Sequence, residues 1–94
     1  MRDYEIVLIV HPELDENAFK DIIEKFKGWI SDSGGKVNNM DVWGKKRMAY
    51  TIRKQTEGQY VLFHVSITPA YTNELDRNLR LLEPVLRFLI TAND

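Results

Sequence analysis

The stretch Gly44-Lys45-Lys46-Arg47-Met48-Ala49-Tyr50-Thr51-Ile52-Arg53-Lys54 decides how this chain is read. Strand formers surround its one glycine, with Val42-Trp43 before it and Met48 to Ile52 after it. Lys36 to Ile52 therefore reads as one long strand interrupted at Gly44, where a glycine suggests a bulge. The polar turn Arg53 to Gly58 leads directly into Gln59 to Ile67, a second strand dense in β-formers. No helix fits between the two, so the middle of the chain is a hairpin. The stretch also holds five of the thirteen Lys and Arg residues and no acid. Two readings of that charge stand at this point: an anionic partner, or a hairpin edge whose cations deter edge-to-edge pairing.

Working outward toward the N-terminus, Arg2 to His11 is rich in Ile and Val and reads as a buried strand. Tyr4, Ile6, Leu8 and Val10 form its apolar parity, which faces the core; Val7 and Ile9 fall on the other. Pro12 holds His11 extended and Asp15 is a good helix N-cap. Ala18, Phe19, Ile22, Ile23, Phe26 and Ile30 then recur at helical spacing until Ser33-Gly34-Gly35 ends the helix. On the C-terminal side, Thr68-Pro69 starts a second helix with Tyr71, Leu75, Leu79 and Leu82 inward, and Glu83-Pro84 stops it. Val85 to Thr91 is the last strand, with Leu86, Phe88 and Ile90 assigned to the core and Arg87, Leu89 and Thr91 to the opposite face.

The order is βαββαβ. Right-handed crossovers put both helices on one face of a four-stranded antiparallel sheet, the α+β ferredoxin-like split βαβ arrangement, in a single domain spanning 1–94. The second sheet face is left open and is expected to show Val7, Ile9, Tyr60, Leu62, His64, Arg87 and Leu89. Large apolar residues on an uncovered sheet face argue for a protein partner.

The remaining composition mostly excludes. Ninety-four residues without cysteine fit one domain in a reducing compartment, with neither disulfides nor cysteine metal sites. The apolar run Ile6 to Val10 is too short for a signal sequence, and nothing nears the ~20 apolar residues of a membrane span, so a cytoplasmic protein is expected. Net charge is −1 but uneven: residues 36–58 carry six bases against two acids, whereas 1–35 carry four against eight. Any anionic partner is thus met locally rather than by overall charge. His11 and His64 lie far apart without ligand spacing, and no nucleophile comes with a base, so neither metal nor cofactor is expected. Acylphosphatases share the expected fold but need a glycine-rich loop with an arginine after the first strand. His11-Pro12-Glu13-Leu14-Asp15 is acidic there and lacks glycine, so an enzyme is not expected. RNA recognition motifs stack bases on third-strand aromatics, of which only Tyr60 points outward here.

With these residues in place, the chain resembles the bacterial small-subunit ribosomal protein six family over nearly its whole length. Met1-Arg2-Asp3-Tyr4-Glu5, His11-Pro12-Glu13-Leu14 and Gly58-Gln59-Tyr60 sit where that family has similar residues. Most specific is Gly44 to Arg53, similar to the family's Gly-x-basic-polar-Leu-Ala-Tyr-x-Ile run, with Met48 for the usual Leu and Thr51 where proline is common. Thr51 can donate a ladder hydrogen bond that proline cannot, so different pairing is expected there. The resemblance implies a non-enzymatic, ribosome-associated RNA-binding protein of the small subunit. It implies binding to the central domain of small-subunit ribosomal RNA as a heterodimer with small-subunit protein eighteen. Carried over by position, Arg2, Tyr4, Arg80 and Arg87 resemble RNA-contacting positions, and Lys46, Arg47 and Lys54 are assigned to RNA phosphate. Val7, Ile9, Tyr60, Leu62, His64 and Leu89 are assigned to the protein partner. The competing reading is a ferredoxin-like regulatory or ligand-binding module acting as a homodimer.

Overall fold

A computed structural model describes residues 1–93. The elements run β1 (Arg2–Val10), α1 (Glu16–Asp32), β2 (Lys36–Ile52), β3 (Gln55–Ile67), a 3-10 turn (Pro69–Tyr71), α2 (Thr72–Arg80) and β4 (Val85–Ala92). The sheet order is β2-β3-β1-β4, with every neighbouring pair antiparallel. This is the ferredoxin-like arrangement that the element order predicts.

Asp15 caps α1 as the sequence implies, whereas the Thr68 hydroxyl makes no capping hydrogen bond. Asp15 Oδ1 accepts from the Ala18 amide at 2.8 Å, satisfying one of the amides left without a partner in the first turn of α1. The main core lies between the sheet and the helices. Tyr4, Ile6, Leu8 and Val10 of β1 and Val61, Phe63, Val65 and Ile67 of β3 meet Phe26 and Ile30 of α1 and Leu75 and Leu79 of α2. Phe26 and Phe63 sit at its centre, rings 4.4 Å apart and tilted by 35°. No polar or charged side chain is buried among the described residues, so all polar chemistry is at the surface.

Three features define the central hairpin, of which the bulge at Gly44 is the one expected and the other two depart from expectation. Its turn is two residues, Arg53-Lys54, and β3 already begins at Gln55 instead of Gln59. Arg53 and Lys54 take φ of 50° and 66°, the left-handed geometry of a tight hairpin turn usually signalled by Asn-Gly. That signal is missing, which is why the turn read as longer. Second, Gly44, at φ 81°, follows an extra residue in β2: Val42 pairs with Val61 and Gly44 with Tyr60, leaving Trp43 between them. Third, Arg47 faces Glu57 and Ile52 faces Gln55, so residues 48–51 have no register partner. The single long strand expected from Lys36 to Ile52 thus loses its regular pairing over Met48 to Thr51. Thr51 falls in this segment and pairs with no β3 residue, a position where a proline would remove no ladder bond.

These irregularities fold the hairpin end over the second sheet face and build a small second core. Ile9, Met48 and Leu86 are buried together, with Val7, Ile52 and Tyr60 packed around them. Leu86 is therefore not in the main core. A register shift pairs Ile9 with Arg87 but Val10 with Val85, which turns Leu86 to the other face. Gly58, buried in β3, makes the approach possible: a Cβ there would collide with Ile9 Cγ2.

Candidate functional site: an open sheet face rimmed by cations

Rows of paired residues define the face away from the helices. One row runs Asn39–His64–Glu5–Thr91, the next Asp41–Leu62–Val7–Leu89, and the next Gly44–Tyr60–Ile9–Arg87. Val7, Tyr60, Leu62, His64, Arg87 and Leu89 thus share the face to which strand parity assigned them. Ile9 shares it as well, but at 7% exposure it is covered by the chain's own hairpin and offers little to a partner.

Over the third row lies a hollow of about 350 Å³, walled by Val7, Ile9, Met48, Ile52, Tyr60 and Leu89, with Trp43, Tyr50 and Arg87 at its lip. Its lining is almost wholly apolar. Trp43 and Tyr60 lie nearly parallel, ring centroids 6.4 Å apart and 17° between planes. Lys46 Nζ stands 5.1 Å from the Trp43 ring, and the Arg87 guanidinium 5.6 Å from the Tyr50 ring. Each pair holds a cation beside an apolar floor, so the site suits a ligand with an apolar centre and an anionic edge. Sequence reasoning missed Trp43 and Tyr50. The signal for Trp43 was the Gly44 bulge, which turns an extra side chain onto the Tyr60 face. At 45%, 57% and 49% exposure, Trp43, Tyr50 and Leu89 leave much apolar area uncovered.

The other assigned cations are distributed. Arg80 and Arg87 line a single groove of about 580 Å³ along edge strand β4. Arg53, not singled out from sequence, lines it too, and its Nη1 donates to the Glu83 carbonyl at 2.7 Å, tying the hairpin tip to the start of β4. Arg80 also lies 5.6 Å from the Phe88 ring and donates from Nε to Asp76 Oδ1 at 2.5 Å. Arg47 faces Glu57 in the ladder, and Lys54 sits in the turn. Arg2 is exposed at the far end of β1, opposite Ile67. Tyr4, assigned to RNA by resemblance, belongs to the main core at 7% exposure, so its ring is closed to base stacking.

The conspicuous sequence motifs now have physical roles. Gln59 Nε2 donates to the carbonyls of His11 at 3.1 Å and Leu14 at 3.0 Å, clamping the His11-to-Asp15 loop onto β3. His11 Nδ1 accepts from the Glu13 amide at 3.2 Å, a turn contact within that loop. His64 Nδ1 stands 3.8 Å from Glu5 Oε1. Among the described residues no three His, Asp or Glu side chains gather as a metal site, and no helix is long and apolar enough to cross a membrane. Tyr71 lies by α2, its hydroxyl pKa pushed up by burial and then by Glu74.

A ferredoxin-like sheet with helices on one face and a cation-rimmed aromatic hollow on the other presents an open face suited to binding. The chain belongs to the ribosomal protein S6 family, whose sequence model matches residues 3–92. It is 48% identical over 91 residues, 97% of this chain and 93% of the relative, to small ribosomal subunit protein bS6 of Moorella thermoacetica. The protein of the same name from Clostridium kluyveri is 43% identical over 94 residues, all of this chain and 99% of that one. The fold superposes on the crystal structure of 30S ribosomal protein S6 from Thermotoga maritima with a TM-score of 0.92. That pair is 25% identical, and the match covers 98% of this chain and 87% of that one. The family is one of small-subunit ribosomal proteins and not of enzymes.

Proposed function

We propose that this protein binds the central domain of small-subunit ribosomal RNA together with small-subunit protein eighteen, as a heterodimer. The open face takes the protein partner, through Val7, Tyr60, Leu62, His64 and Leu89 with Trp43 and Tyr50 added. Arg80 and Arg87 along the β4 groove take RNA, joined at the rim by Lys46 and Lys54, by Arg47, and by Arg2 from the far end. The observation that supports this division is the cation-rimmed apolar hollow: Arg87 and Leu89 border both the hollow and the arginine groove, so a charge and an apolar side chain join the two. A partner seated in the hollow would extend the surface that the groove offers to phosphate. A chain of net charge −1 also needs such help to hold a polyanion.

The test is Arg87→Ala in the complex of the two proteins with RNA. Affinity is expected to fall by roughly 1–3 kcal/mol, as for a charge-assisted contact. The slope of log affinity against log salt is expected to fall by about one. An unchanged slope would remove Arg87 from the phosphate contacts.

A further inference from the structure

The hollow on the open face carries charge of one sign only. Arg87 lines it, and Lys46 stands beside it with Nζ 5.1 Å from the Trp43 ring. Among the described residues no carboxylate lines the hollow, and neither cation has an ion-pair partner. The adjoining row carries one acid, Asp41, on the edge strand opposite to that of Arg87. A second apolar hollow, of about 290 Å³ between α1 and β2, is built differently. Phe19, Ile23 and Met40 line it, and both signs stand at its rim, Glu16 and Glu24 with Lys20 and Lys27. The first hollow therefore selects an anion beside an apolar body, and the second selects no sign.

Two chemistries join an apolar or aromatic body to an anion. One is an RNA base with its phosphate, and the other a large apolar side chain next to a carboxylate. The walls decide between them. A base carries polar groups around its edge, and each one taken from water without a new partner opposes binding. Val7, Ile9, Met48, Ile52 and Leu89 have no side-chain group to replace that water, whereas a hydrocarbon side chain loses nothing against them. A volume of about 350 Å³ lies at the small end of the ~300–1,000 Å³ of ligand pockets, the size of one or two large side chains.

We infer that the hollow is a receptor for a large apolar side chain carried next to an aspartate or glutamate, and that the protein partner docks on the open face by this anchor. The inference rests on the reading of this face as the partner surface and names what the partner must present there. Arg87 can serve both neighbours: its guanidinium has five donors, so a carboxylate at the hollow leaves others for phosphate along the groove. Tyr50 stands in the segment 48–51 without register partners, so its ring can follow the anchor with no ladder pairing to break.

Heteronuclear NMR of the full chain, titrated with 4-phenylbutyrate, its neutral amide and adenosine monophosphate, tests this. 4-Phenylbutyrate is expected to bind with a roughly millimolar Kd and to shift the methyl signals of Val7, Ile52 and Leu89. The amide should bind about threefold more weakly, a difference that ~0.5 M salt removes. Arg87→Ala with Lys46→Ala should bring 4-phenylbutyrate down to the affinity of the amide. Ile23, in the second hollow, should report no preference for the acid. Protein eighteen should displace the probe. Equal binding of acid and amide to the wild type overturns the inference, a result that holds even if the double variant fails to fold. So does a nucleotide that shifts the hollow methyls more than 4-phenylbutyrate does, or a heterodimer that leaves the probe bound. A heterodimer formed by a chain whose hollow ignores the acid removes the anchor and keeps the partner. A hollow that selects the acid while no heterodimer forms removes the partner reading and keeps the ligand class.

Discussion

Replacing Leu89 separates a binding face from a core. Leu89 lies in β4 opposite Val7 and is 49% exposed, so about half of its side chain remains to be covered by a partner. Full burial of a leucine side chain is worth about 1.5–3 kcal/mol, and the uncovered half therefore about 1 kcal/mol. Leu89→Ala should weaken the complex with protein eighteen about fivefold. Leu89→Glu adds a carboxylate that must be stripped of water against an apolar surface, several kcal/mol more, so binding should fall at least ~100-fold. The folded monomer should lose no more than about 1 kcal/mol in either variant, because the same half is already in water. Titration calorimetry reads the first quantity and urea unfolding the second. A monomer destabilised by more than ~3 kcal/mol with affinity intact would show that Leu89 belongs to the core and that the face is not a docking surface.

Three further outcomes follow from the packing. Met48→Ala should cost about 2–5 kcal/mol in urea unfolding, since Met48 is buried against Ile9 and Leu86; a loss under ~1 kcal/mol would mean that the hairpin does not cap the face. Gln59→Leu should cost about 1–3 kcal/mol, because it strands the carbonyls of His11 and Leu14, and amide exchange in that loop should quicken; unchanged exchange would count against the clamp. Lys54→Gly should stabilise the protein by about 0.5–1 kcal/mol, measured as the thermal midpoint, by relieving a left-handed lysine; a lowered midpoint would contradict the turn geometry.

The fold was legible because its signals are periodic and local. The β1 and β3 parities, the α1 stripe and the Asp15 cap each state their own environment, and chain order then leaves one sensible sheet. What escaped was set by non-local register. Leu86 alternates with Arg87 as any strand residue would, and only the shift opposite Ile9 and Val10 sends it to the second face. Ile9 read as an open-face residue because nothing near it in sequence announces that Met48, thirty-nine positions on, folds over it. The two-residue turn was hidden because Arg53 and Lys54 adopt a geometry that their side chains do not advertise. The site was legible in outline for the same reason. Parity put Tyr60, Leu62, Arg87 and Leu89 on one face, whereas Trp43 and Tyr50 joined it through a bulge and an unpaired segment, and Arg53 reached the adjoining groove through a tip contact.

The central claim is that the two surfaces act together: a partner on the open face completes the RNA site. The most direct measurement is the affinity of this protein for a central-domain RNA fragment, at fixed salt, with and without protein eighteen. Tight binding only with both proteins present, lost again in Leu89→Glu, is the predicted result. Equal affinity with this protein alone would contradict it.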